Sequence, residues 1–244
     1  MASRHPPKRI TPGLLLRMST ACFAEAGAER REQVVILGGS PEDRWPPLFA
    51  ALGATRAGTH AVQARAVAAR TRVAEIDALI DPCDDAADRV VELLAECDAV
   101  VIGPGLRSGA ARVAAMQAVQ STCPDTPCVV VGASLLDLTR ARPFERLIVV
   151  CTAFDAARFL GLPRKVIVGH ADAAAAEIAA HLAATIVLLG GSTLVAAADG
   201  ELFEGAPVDE HVFEPVRYFL AGVAGGLLAS GAAPLNAALW AVHV

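Results

Sequence analysis

The sequence predicts an α/β fold: a doubly wound, mostly parallel sheet flanked by helices, with a small antiparallel hairpin in the C-terminal part. Three observations carry this expectation. Short apolar runs of strand length recur along the chain, each bounded by Gly, Pro or Asp. Segments of helical period, rich in Ala, Leu, Glu and Arg, alternate with them. The composition, 54% hydrophobic but only 5% aromatic and 19% charged over 244 residues, suits one large core of Ala, Val and Leu.

The elements follow in order. Residues 1–30 read as an N-terminal arm and lead-in, and residues 31–244 as the core of a single domain, because no low-complexity linker or internal repeat divides them. Strands are expected at Val34–Leu37, Ala99–Ile102, Val129–Val131, Leu147–Val150 and Ile186–Leu189. Their continuous apolar character is that of parallel strands buried on both faces. Helices are expected at about 47–57, 86–96, 110–120, 153–160 and 171–183, which gives the β-α-β-α order of a wound sheet. Thr193–Ala197 and Glu201–Phe203 flank the turn signal Asp199-Gly200 and read as an antiparallel hairpin. Two helices, about Phe219–Ser230 and Leu235–Val242, close the chain.

Charge and cysteine usage narrow the function. The net charge of -5 and the scatter of Lys and Arg leave no basic footprint for a nucleic-acid partner. The cysteines Cys22, Cys83, Cys97, Cys123, Cys128 and Cys151 form no C-x2-C pair and have no His at zinc-ligand spacing, so they read as small, reduced core residues. Leu14-Leu15-Leu16 is too short for a signal sequence, and no run approaches the roughly 18 apolar residues of a membrane span. A cytoplasmic protein without a membrane partner is expected.

Glycine-rich turns after strands are where such a sheet holds ligands, since strand ends open onto a crevice and helix N-termini offer free N–H groups to anions. Gly38-Gly39-Ser40, Gly103-Pro104-Gly105 and Gly190-Gly191-Ser192 occupy such places. None has the spacing of a dinucleotide fingerprint or of a P-loop. Each is readable as a ligand turn or simply as a tight turn.

Taken in order, Ile10-Thr11-Pro12, Val35–Ser40, Ala51–Gly58, Val100–Leu106, Leu188–Ser192 and Leu220-Ala221-Gly222 resemble the NAD(P)H-hydrate dehydratase family from about residue 10 to the end. The resemblance implies a ribokinase-like fold and a nicotinamide dinucleotide hydrate as substrate, dehydrated with ADP or ATP and Mg2+. It places Gly39, Ser40, Pro46, Gly103 and Gly105 at the substrate, and Gly190, Gly191, Ser192, Thr193 and Arg217 at the nucleotide. The reactive position falls on Tyr218.

At the reactive position the sequence departs from the family. The pattern Gly-Thr/Ser-Gly-Asp becomes Pro215-Val216-Arg217-Tyr218, so a phenol replaces the reactive Asp and Arg217 replaces the Gly that lets phosphate approach the backbone. A phenol with a reference pKa of about 10 is a poor base at neutral pH. The family's Lys-Gly is Gly190-Gly191, its Asp-Ala-Asp is Gly132-Ala133-Ser134, its Thr-Pro is Cys151-Thr152, and a small pocket pair is Trp45-Pro46, whose indole is expected to fill substrate space. Tyr218 is alternatively a packing residue whose hydroxyl reaches a backbone partner. Asp209, Glu210 and Glu214 read as a solvated loop, with Glu214 the one candidate to stand in for the lost Asp.

These departures lead to the expectation of a divergent dehydratase-like protein with weak or lost catalysis. Two other expectations stand beside it. One is a pseudoenzyme that pairs with a homo-oligomeric or paralogous partner through its apolar terminal helices. The other is a kinase-like sensor that binds adenine nucleotides.

Overall fold

A computed structural model describes residues 6–19, 32–40, 43, 45–59, 61–66, 86–107, 109–140 and 144–244. One nine-stranded sheet organises them. Its strands are β1 (Lys8–Arg9), β2 (Gln33–Gly38), β3 (Ala61–Ala66), β4 (Ala99–Ile102), β5 (Cys128–Val131), β6 (Leu147–Thr152), β7 (Thr185–Leu189), β8 (Thr193–Ala196) and β9 (Leu202–Gly205). The order across the sheet is β1-β9-β8-β7-β6-β5-β4-β2-β3. Pairing is parallel from β3 to β7, antiparallel for β7–β8 and β8–β9, and parallel again for β1–β9.

The period of two along each strand creates two cores. Val34, Ile36, Ala99 and Val101 face one side, where α1 (Pro12–Ser19), α2 (Trp45–Arg56), α8 (Phe213–Ala229) and α9 (Pro234–His243) pack. Val35, Leu37, Val100 and Ile102 face the other, covered by α3 (Ala86–Glu96), α4 (Gly109–Thr122), α5 (Ala153–Leu160), α6 (Arg164–Gly169) and α7 (Ala171–Leu182). A sheet covered on both faces is what the uninterrupted apolar runs require.

The five expected strands lie where the apolar runs placed them, and the hairpin turns at Gly200, whose φ of 93° suits a residue without Cβ. Other elements differ from expectation. β3 escaped the sequence reading because Ala-Val-Gln-Ala-Arg-Ala has no continuous apolar run, as befits a strand with a single neighbour. Within the expected lead-in, β1 pairs with β9 and Leu15 of α1 is fully buried, a contribution of about 2 kcal/mol that anchors α1 to the sheet.

The largest difference concerns α8. It begins at Phe213, six residues before the expected start, because Pro215 lies in its first turn, where a missing N–H and a fixed φ are tolerated. Glu214 is therefore a helical residue and not part of a solvated loop. The segment Glu210–Ala229 also has the length and apolarity to cross a membrane, contrary to the expectation that no run approaches such a span. It packs as a core helix between α2 and the sheet, with Ala221 and Ala224 fully buried. The apolar faces of α8 and α9, expected to dock a partner, lie largely inside this chain's own core. Cys22 and Cys83 lie outside the described residues, and the remaining four cysteines are free thiols.

Candidate functional site

The chain winds outward from β2 to β3, then crosses back to lay β4 on the other side of β2, so the strand order reverses between β2 and β4. Loops at the carboxyl ends of two such strands diverge and leave a crevice. Here the crevice is framed by the two turns read from sequence. Gly39 N–H donates to the Pro104 carbonyl at 2.6 Å, and Gly103 N–H donates to Leu37 at 3.0 Å. Gly103 has φ 109°, and a Cβ there would come within 2.6 Å of the Val131 carbonyl and Ser134 Oγ, so only glycine fits.

A cleft of about 910 Å³ opens above these turns, within the range of small-molecule sites. Pro46, Gly103, Gly105, Arg217 and Tyr218 line it, as do the aromatic rings of Trp45 and Phe49. Trp45 is 66% exposed while lining the cleft. Gly39 lies directly behind Gly105, and buried Ser40 ties down the adjoining loop through Asp43. The loop Gly190-Gly191-Ser192 and Thr193 do not line this cleft. They follow β7 at the same sheet edge, one step beyond the Thr152–Leu189 register pair.

Arg217 is the centre of the cleft's polar wall. Its guanidinium lies against the Gly132 backbone at the end of β5, 3.5 Å from Asp155 and 2.5 Å from Glu214, and it donates to the Tyr218 hydroxyl at 2.9 Å. The Tyr218 hydroxyl in turn donates to Glu214 at 2.5 Å. The expected backbone partner of Tyr218 is thus replaced by two side chains one helical turn or less away. Asp155 is fixed from a different element. At the third position of α5 it accepts from both the N–H and the hydroxyl of Thr152, at 3.0 and 2.9 Å, as the acid of a capping box.

This network sets the proton chemistry. Burial raises the Tyr218 phenol, Arg217 opposes that, and the bond to Glu214 adds to it, leaving the phenol pushed up to about 12. Tyr218 is therefore a protonated donor at neutral pH and cannot take a proton from a hydroxyl. Burial works against the Arg217 charge, but the surrounding oxygens of Tyr218, Glu214 and Asp155 outweigh it and hold the guanidinium above its ordinary range.

The early start of α8 matters equally. In a regular α-helix beginning at Phe213, the N–H groups of Arg217, Tyr218 and Phe219 bond to carbonyls four residues back and are unavailable to an anion. The reacting end is therefore a poor fit for a triphosphate and its magnesium. Arg217 is neutralised by two carboxylates, Asp155 is committed to Thr152, and no group of three metal-ligating side chains exists among the described residues. Elsewhere on the cleft wall, Arg112 is locked to Asp137 at 2.8 Å, while Arg158 is exposed and lies over the Phe154 ring.

The sequence reading missed Asp155 and the part played by Glu214. Two signals were present: Thr152-x-x-Asp155 is a capping-box pattern, and Glu214, Arg217 and Tyr218 share one helical face once the helix is begun at Phe213.

Comparison with known proteins gives this geometry a setting. A family model described as NAD(P)H-hydrate dehydratase matches residues 34–209. The chain is 31% identical over 169 residues to an ADP-dependent (S)-NAD(P)H-hydrate dehydratase of Neisseria meningitidis serogroup B, a match covering 66% of this chain and 55% of that relative, so it spans little more than half of the relative's length. An ADP/ATP-dependent NAD(P)H-hydrate dehydratase from Bacillus subtilis, co-crystallised with ATP and Mg2+ and soaked with CoA, superposes with a TM-score of 0.70 at 21% identity, covering 98% of this chain and 87% of that one. A ribokinase-like superfamily protein from Enterococcus faecalis gives 0.71 at 14% identity, over 97% and 86%. The fold is therefore ribokinase-like.

Proposed function

The chain belongs to the NAD(P)H-hydrate dehydratase family, and from that premise we propose that it is a divergent member whose dehydration chemistry is weak or lost. The observation that carries the proposal is the Arg217–Glu214–Tyr218–Asp155 network at the reactive position. The phenol at the reactive position holds its proton, and the two carboxylates beside it are engaged, Glu214 by Arg217 and Tyr218 and Asp155 by Thr152 and Arg217. An anion hole is absent, because the helix has grown past the position and its N–H groups are paired. Phosphoryl transfer relies on positioning and on stabilising developing charge, and both would have to come from these residues.

The cleft itself stays open. Its volume, the exposed Trp45 indole, Phe49 and the exposed cation of Arg158 suit a nicotinamide dinucleotide hydrate or a close analogue held without turnover. The test is incubation with S-NADHX, Mg2+ and either ADP or ATP, read as recovery of reduced nicotinamide. Recovery at the blank rate is expected, and clear turnover would refute the loss of chemistry.

A second reading, an adenine-nucleotide sensor, is favoured by the loop after β7. Thr193 is buried with an unpartnered Oγ1, and Gly191 has open space where a Cβ would stand. Buried hydroxyls normally find partners, and a ligand amide or phosphate would supply one. A rise in melting temperature with millimolar ADP is the expected result under this reading, and no rise would exclude it.

A further inference from the structure

From the unequal hold of the two carboxylates on Arg217, we infer that the cleft is a binding site for an aromatic carboxylic acid whose carboxylate takes the place of Glu214 on the guanidinium. The inference rests on the reading that the cleft stays open to a ligand, and adds what that ligand carries. Asp155 and Glu214 flank one cation from different depths. Asp155 is buried, pinned by the N–H and hydroxyl of Thr152, and lies 3.5 Å from Arg217 Nη1. It is a fixed counter-charge that keeps the nearly buried guanidinium in place. Glu214 lines the cleft with its side chain 65% exposed, Oε1 on Arg217 Nη2 and Oε2 accepting from the Tyr218 hydroxyl, both at 2.5 Å.

Such an exposed pair contributes little, because water solvates the carboxylate as soon as it leaves. The cation and hydroxyl it vacates are already oriented, so a ligand carboxylate meets them without further ordering. They also offer more than Glu214 uses. Arg217 Nε, on the same edge of the guanidinium as Nη2, is buried without a hydrogen-bond partner. Glu214 is tied to the helix one turn before Arg217, whereas a free carboxylate approaches that edge side-on and meets both nitrogens.

The rest of the cleft matches such a ligand. Arg107, Arg112 and Arg158 line it with Arg217, against Asp43 and Glu214, so its field favours an anion. Trp45 and Phe49 supply rings on which an aromatic body packs. A phosphate ester is the poorer occupant. It would bring a second negative charge close to Asp155, whereas a carboxylate replaces Glu214 charge for charge.

The test is calorimetric titration of the full chain with 2-naphthoate and with its uncharged counterpart 2-naphthamide, in the absence of nucleotide, Mg2+ and hydrate. The acid is expected to bind at least about tenfold more tightly than the amide, the difference between a charge-assisted contact and a neutral one. Glu214→Gln, a change at an exposed position, should tighten the acid by up to about fivefold and leave the amide unchanged, since no charged competitor then has to be displaced. In an Arg217→Gln background the acid should lose its advantage, and adding Glu214→Gln should no longer tighten it. Tightening that persists there is a general effect of charge and would overturn the exchange, as would weaker binding of the acid to Glu214→Gln. Equal binding of acid and amide to the unmodified chain would overturn the carboxylate site while leaving the open cleft standing; binding of neither would overturn both.

Discussion

Removing Arg217 is the perturbation that reads the site's electrostatics most sharply. The Arg217→Ala change leaves Asp155 beside β6 without its cation, and the two side chains are only 14% and 5% exposed. Breaking a well-buried pair costs about 3–5 kcal/mol. Asp155 keeps two bonds from Thr152, however, which places its share nearer about 2 kcal/mol. Glu214 is 65% exposed, so its ion pair contributes no more than about 1 kcal/mol. The sum, about 3 kcal/mol, corresponds to a fall in melting temperature of roughly 6–12 °C for a chain of this size. Thermal melts of Arg217→Ala, Asp155→Asn and the double variant measure it. The double variant should recover at least about 1 kcal/mol relative to additive losses, since Asn at 155 needs no cation. A fall of less than about 2 °C, or strict additivity, would refute the view that Arg217 and Asp155 are coupled in a buried network.

Other consequences are equally direct. Tyr218 is the single tyrosine, so tyrosinate absorbance titrates it alone, and its midpoint should lie near 12, well above the free phenol. Because its folded-state pKa is raised, the stability it contributes is complete below about pH 10 and is lost as pH rises toward 12; Tyr218→Phe should flatten that part of the stability curve by up to about 2–3 kcal/mol. Gly222→Ala would drive a methyl group into the Ala50 backbone, where α8 crosses α2, and should destabilise the fold by about 1–3 kcal/mol or more in chemical denaturation. Tyr218→Asp with Gly190→Lys should not restore hydrate turnover, because position 218 remains inside α8 with its N–H paired; restored activity would place the defect in the side chains alone.

Strands buried on both faces were legible in the sequence because Val34–Leu37 or Leu147–Val150 can only be apolar throughout when helices cover both sides. β3 was not legible, because Ala-Val-Gln-Ala-Arg-Ala has no continuous apolar run and is too short to carry a period. At the site, Gly103, Gly105 and Tyr218 were readable from turn chemistry and family resemblance. Glu214 and Asp155 were not, for two separate reasons. The helix was expected to start at about Phe219, whereas it starts at Phe213 with Pro215 in its first turn, and the later start hid the i, i+3 and i, i+4 relations of Glu214. Asp155 reaches Arg217 across 62 residues of chain, and only the juxtaposition of β6 with α8 brings them together.

Hydrate turnover tests the central claim most directly: S-NADHX is supplied to the purified chain with Mg2+ and saturating ADP or ATP, and recovery of reduced nicotinamide is followed against an enzyme-free blank. With Tyr218 protonated and the α8 N–H groups already paired, the rate should equal the blank with both nucleotides. Nucleotide-dependent recovery above the blank, abolished by Arg217→Ala or Tyr218→Phe, would contradict the account and make the same network a working catalytic site.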